Sequence, residues 1–289
     1  MIADKVNDLA GRLMMPQHNE KHIAFFCKAL YVFLFIKILY LWPLIGDVLD
    51  YKPFGYHSHL SYLLFAPLVL AKINAELFLF SFGLFLIASV VIRVNYITAF
   101  VVCWFSISLS RLFLPIINGS DLVLNLFLII AIVLPINPKL NFRNSDQVQT
   151  IVSNVALLFA QIQFALIYLL SGYDKLLSAS WRSGAAIDSI NNLTFFHNPF
   201  ITFYLNEVVC VALSWAVIVF EMGFGFLIWE KKFRIPLLVM GIVFHLIIAV
   251  VLGVVDFALV MMICYGVYLP FKKTNYSFLA FNPEASYDN

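Results

Sequence analysis

Apolar runs of roughly 16 to 23 residues recur along almost the whole chain, and each is about the length a helix needs to cross bilayer hydrocarbon. Inside hydrocarbon a backbone has no water to pair with, so only helices and closed barrels can span it. Barrel strands read as short alternating segments. The continuous runs here exclude them. The chain is 63% hydrophobic and 12% charged, with a mean hydropathy of +0.94, and a soluble domain of this length needs more charge on its surface. Its 30 phenylalanines fit lipid-facing helices.

The expected architecture is therefore an all-α, polytopic membrane helix bundle. About eight transmembrane helices are predicted near 23–45, 76–92, 96–117, 121–136, 150–171, 208–229, 236–252 and 256–270. Residues 59–71 are apolar but too short to cross, and read as a half-helix. One domain, 23–270, is flanked by an amphipathic interfacial segment, 1–22, and a polar tail, 271–289. Residues 1–22 are charged and lack a short apolar core with a cleavage site, so no removable signal peptide is expected.

Charge placement predicts orientation. Eight spans put Lys5, Arg12, Lys21, Arg93, Lys139, Arg143, Lys231, Lys232, Arg234, Lys272 and Lys273 on one side, and Lys52, Lys72, Lys175 and Arg182 on the other. Both termini are then cytoplasmic, the protein lies in the cell membrane, and the interval 172–207 faces outward.

Ionisable groups at membrane depth are costly and usually face the bundle interior or a watery cavity. Lys28 is close enough to a span end to snorkel. Lys37 and Arg111 also lie within reach of the outer end, and structural and functional readings stand equally for both. His245, near the middle of its span, reads as an interhelical hydrogen-bonder. Glu221 is too far from either end to reach water, so it must be protonated or paired with a cation. Asp121 and Asp256 open spans at the positive end of a helix dipole and read as caps.

The stretch from Tyr168 to Gly184, running on to His197-Asn-Pro-Phe200, concentrates polar groups where the apolar run stops at Gly172. Lys175 stands at the mouth of a span, with Asp174 expected to pair with it and Trp181 to cover it. A lysine kept partly dry loses its proton more readily and becomes a usable general base. The alternative is an ordinary interfacial lysine. The cysteines (Cys27, Cys103, Cys210, Cys264) fall inside apolar runs without a CxxC pair and read as small buried hydrophobes. His57 and His59 lack a third ligand, so no metal site is expected. No phosphate loop, GxSxG, HExxH, dinucleotide fingerprint or basic aromatic tract occurs, and no nucleic-acid partner is expected.

Four places together resemble the HTTM (horizontally transferred transmembrane) family, which includes the membrane domain of vitamin K-dependent gamma-carboxylase. They are Asn118-Gly-Ser-Asp121 with the run to Leu134-Pro135; Ser171-Gly-Tyr-Asp-Lys-Leu176 with Trp181 and Gly184; Phe220-Glu221 with Gly225; and Phe244-His245 with Gly253 and Phe257. The likeness spans about residues 23–270. It implies that Lys175 matches the lysine with which the carboxylase deprotonates reduced vitamin K, working on the non-cytoplasmic side. Where the carboxylase has two adjacent lysines, this chain has Asp174 and Lys175.

The leading expectation is a site built from 172–200, the outer parts of the third and seventh spans and the 59–71 half-helix. Lys175 is the catalytic base, supported by Asp174, Trp181, Arg111, His245 and Glu221. The substrate class is a quinol-like or lipid molecule, and the implied cofactor a quinone or quinol. The chain ends about twenty residues after the last span, whereas the carboxylase holds its protein substrate on a large extramembrane region. A second expectation is thus a non-catalytic membrane partner for maturation, export or immunity of a secreted peptide, completed by a soluble partner chain. A third, drawn from Lys37, Arg111, Glu221 and His245, is a transporter, which the absence of a visible inverted repeat disfavours.

Overall fold

The computed structural model describes residues 20–50, 65–92, 94–116, 118–134, 145–193 and 205–269. Among these residues every regular element is helical and there is no strand. The helices are α1 (Glu20–Leu41), α2 (Ile45–Asp50), α3 (Pro67–Ile73), α4 (Ala75–Val91), α5 (Tyr96–Leu112), α6 (Gly119–Val133), α7 (Ser145–Leu177), α8 (Ala179–Arg182), α9 (Ala185–Asn192), α10 (Glu207–Leu227), α11 (Lys231–Val251) and α12 (Val255–Cys264). Among the described residues four stretches, Lys21–Val48, Val148–Leu177, Glu207–Leu227 and Lys231–Val251, are long and apolar enough to cross a membrane. Four shorter apolar helices, Ala75–Val91, Tyr96–Leu112, Gly119–Val133 and Val255–Tyr268, accompany them. These lengths and compositions are those of an integral membrane protein. The expected half-helix is seen in part: α3 has 7 residues, about 10 Å of helix, too short to cross. Residues 59–64 lie outside the described residues, as do His57, His59, Arg93, His197 and most of the loop and tail charges used for orientation.

The chain divides into two compact units, 1–158 with 259–267, and 159–258 with 268–289. In the first, α1 packs on α4, α5 and α6, and α5 lies along α6. Leu30, Leu34 and Ile38 of α1, Phe78 and Phe82 of α4, and Phe127 of α6 fill its core. The rings of Phe78 and Phe82 gather on Phe105 at 5.7 and 5.0 Å. Each helix start has four N–H groups without an intrahelical partner, and among the described residues of this unit an asparagine meets them at three entries. Asn74 accepts from Leu77, Asn95 from Ile97 and Thr98, and Asn118 from Ser120. Between α5 and α6, Ser106 donates to Asn125 at 2.7 Å and Asn125 donates to Ser110 at 2.8 Å. Such interhelical hydrogen bonds supply the cohesion that the hydrophobic effect cannot give in lipid.

In the second unit, Phe164, Tyr168, Phe224 and Tyr268 form an aromatic core. Tyr168 stacks on Phe224 at 4.1 Å between ring centroids, and the Tyr268 hydroxyl donates to the carbonyl of Gln161. One expectation is corrected here. The fifth span does not stop at Gly172: α7 runs unbroken to Leu177. The residues that follow form two short helices, α8 and α9, both packed on α10.

Candidate functional site

Three residues on α7, Tyr168, Ser171 and Lys175, are spaced by three and then four. That spacing places them on one helical face, and the face meets α10. Small residues let the two backbones approach. A Cβ on Gly172 would stand 2.9 Å from the Met222 nitrogen and 3.0 Å from Glu221 Cβ, and one on Gly225 would stand 2.8 Å from Leu169 Cβ. Gly172 therefore serves close packing within a continuous helix. The helix thus runs on past the residue at which the apolar run stops.

The close approach delivers Lys175 to Glu221. The ammonium lies 2.7 and 3.0 Å from the two carboxylate oxygens and 2.5 Å from Ser171 Oγ. A lysine ammonium has three N–H donors, and three acceptors surround this one. The Trp181 ring centroid is 5.1 Å from Nζ, within range of a cation–π attraction. The side chains are 17% and 8% exposed. Glu221 stands about 21 Å of helix from Glu207 and about 9 Å from Leu227, well inside the apolar length of α10. Of the two expectations for it, protonation or a cation, Lys175 supplies the cation, and it is Glu221 rather than Asp174 that holds the lysine. Asp174 is exposed and makes no ion pair among the described residues, because successive helical residues point about 100° apart.

Trp181 is held in place from both sides. The Arg182 guanidinium donates to the carbonyls of Leu176 and Leu177 at 2.7 and 2.6 Å, satisfying acceptors that the end of α7 leaves open. Gly184 then turns the chain at φ 82°. A Cβ there would stand 2.7 Å from the Val211 nitrogen, so α9 lies directly against α10.

His245 of α11 meets the Tyr168 hydroxyl through Nε2 at 2.7 Å. Phe244 and Phe257 flank the imidazole. The pair sits two turns before Lys175 along α7. Arg111 belongs to the first unit, where its guanidinium lies 5.5 Å from the Phe65 ring centroid. In that unit Lys37 is 2.8 Å from both Asp121 Oδ2 and Ser120 Oγ. Asp121 also accepts from the Asn118 N–H in a reciprocal capping box, so it caps α6 and neutralises a lysine at once. Asp256 accepts from the Phe257 N–H at the start of α12. An open cavity of about 820 Å³ in the first unit is lined by Trp42, Pro43, Asn74 and Glu76 among others.

Of the residues singled out in the sequence, Lys175, Glu221 and Trp181 come together. Ser171 and Tyr168 were not singled out, although their spacing from Lys175 was visible. No protein-family model matches the chain, and neither a curated protein nor a solved structure is significantly similar to it.

Proposed function

We propose that this is an integral membrane protein of the HTTM kind in which Lys175 acts as a base on an apolar, hydroxyl-bearing substrate of the quinol type, in carboxylase-like chemistry. The observation that carries this reading is the Lys175–Glu221 pair under Trp181. A buried ion pair is a poor stabiliser, since apolar residues of similar volume usually hold a fold as well. Charges at membrane depth therefore usually mark a functional place. An aromatic hydroxyl suits the surroundings: the Trp181 ring offers a stacking face, and a phenol's ordinary acidity lies close to an amine's. On this reading the site opens outward, with both termini cytoplasmic. Lipid mass spectrometry of the detergent-purified protein tests it. A quinone-type compound should accompany the wild type and be lost from Lys175→Ala, whereas bulk phospholipid alone in both would remove the reading.

One feature supports a second reading. All three ammonium donors are engaged inside the protein, so the pair also ties α7 to α10 without any substrate. That favours a non-catalytic membrane partner for a secreted peptide or a soluble chain. A soluble protein captured equally by wild type and by a well-folded Lys175 variant would point this way.

A further inference from the structure

The geometry of the pair assigns Glu221 a part of its own. Resting on the base reading above, we propose that Glu221 is the final acceptor of the substrate's proton and that Lys175 is the relay.

An ammonium cannot accept a proton, so a base at Lys175 must first be emptied. Its three N–H groups point to Glu221 Oε1, Glu221 Oε2 and Ser171 Oγ. A serine hydroxyl is a feeble base, the Trp181 ring accepts no proton, and Asp174 faces away. The Glu221 carboxylate at 2.7 Å is the acceptor within reach.

The steps balance. A Lys175 N–H bond breaks and an O–H bond forms on Glu221, turning ammonium and carboxylate into amine and carboxylic acid. The substrate O–H then breaks, its proton bonds to the amine nitrogen, and the oxygen keeps the electron pair. The products are the ammonium, the carboxylic acid and a substrate oxyanion beside the ammonium. No redox partner is needed. The site is electrically neutral at every stage, which matters because an uncompensated charge at this depth is strongly disfavoured. Ser171 keeps its bond to Lys175 throughout and fixes the amine while its partner changes.

The probe is a short-chain naphthohydroquinone added anaerobically to the purified protein. Two signals are read: near-ultraviolet absorbance of the bound phenolate, and the infrared C=O stretch of a newly protonated carboxyl, identified by its shift in D₂O. In the wild type both should rise together. In Glu221→Gln the carboxyl signal should be absent, because the acceptor that produces it is gone. A phenolate that forms in the wild type without the carboxyl signal overturns the assignment while leaving Lys175 as base. That outcome needs no variant, so a poorly folding Gln substitution does not shield the proposal. Absence of any phenolate in the wild type removes the base reading, and this inference with it.

Discussion

Both oxygens of the Glu221 carboxylate meet the Lys175 ammonium, at 3.0 and 2.7 Å, although 46 residues separate the two positions. Breaking such a pair from one side strands a charge in a poorly solvating place. Lys175→Met or Glu221→Leu alone should each destabilise the protein by about 3–5 kcal/mol. The double variant, with nothing left to neutralise, should recover most of that loss. Thermal unfolding in detergent of the four proteins checks this, and additive losses would contradict it.

Glycines at the α7–α10 contact differ in what surrounds them, so alanine should separate them. Gly172→Ala and Gly225→Ala force the helices apart and should each cost about 1–3 kcal/mol. Gly223 has nothing within 4 Å of where a Cβ would stand. Alanine there should be neutral or stabilise by up to about 1 kcal/mol through helix propensity. Unfolding midpoints of the three variants would show the contrast.

Gly184 combines a left-handed φ with close backbone contact at Val211. Gly184→Ala should lift α9 from α10 and disturb Trp181 three residues earlier. The readout is faster hydrogen exchange across Ala185–Asn192, with α11 unchanged.

Tyr168→Phe removes the hydroxyl that His245 meets while keeping the ring on Phe224. Hydrogen bonds between helices in lipid are worth about 0.6 to 2 kcal/mol, and the loss of stability should fall there. His245→Leu should cost a similar amount in the wild type and little more in Tyr168→Phe, because one bond has two owners.

How far the sequence carries the fold is clearest in the apolar runs. The predicted spans 76–92 and 208–229 are the helices Ala75–Val91 and Glu207–Leu227, since hydrophobic length is a local property. Gly172 misled for the opposite reason: its role depends on Met222, fifty residues away, and no local pattern marks a close approach between helices. Glu221 shows both sides of this limit. Its depth left two choices from the sequence alone, protonation or a cation partner, and the structure supplies the cation. Which cation depends on how α7 and α10 are set in register, and that is a property of packing. Asp174 was the natural choice for Lys175 by adjacency, yet neighbours in a helix face different ways. Lys37 and Asp121 were each noticed, but periodicity within one helix does not report what stands opposite it.

The most direct test of the account uses the apolar double variant Lys175→Met/Glu221→Leu, which should fold. Binding of a short-chain naphthohydroquinone to it and to wild type, measured by tryptophan quenching, separates function from staple. Retained stability with binding weakened at least about tenfold is the predicted result. Equal binding by both proteins would contradict the claim that the pair under Trp181 forms the site.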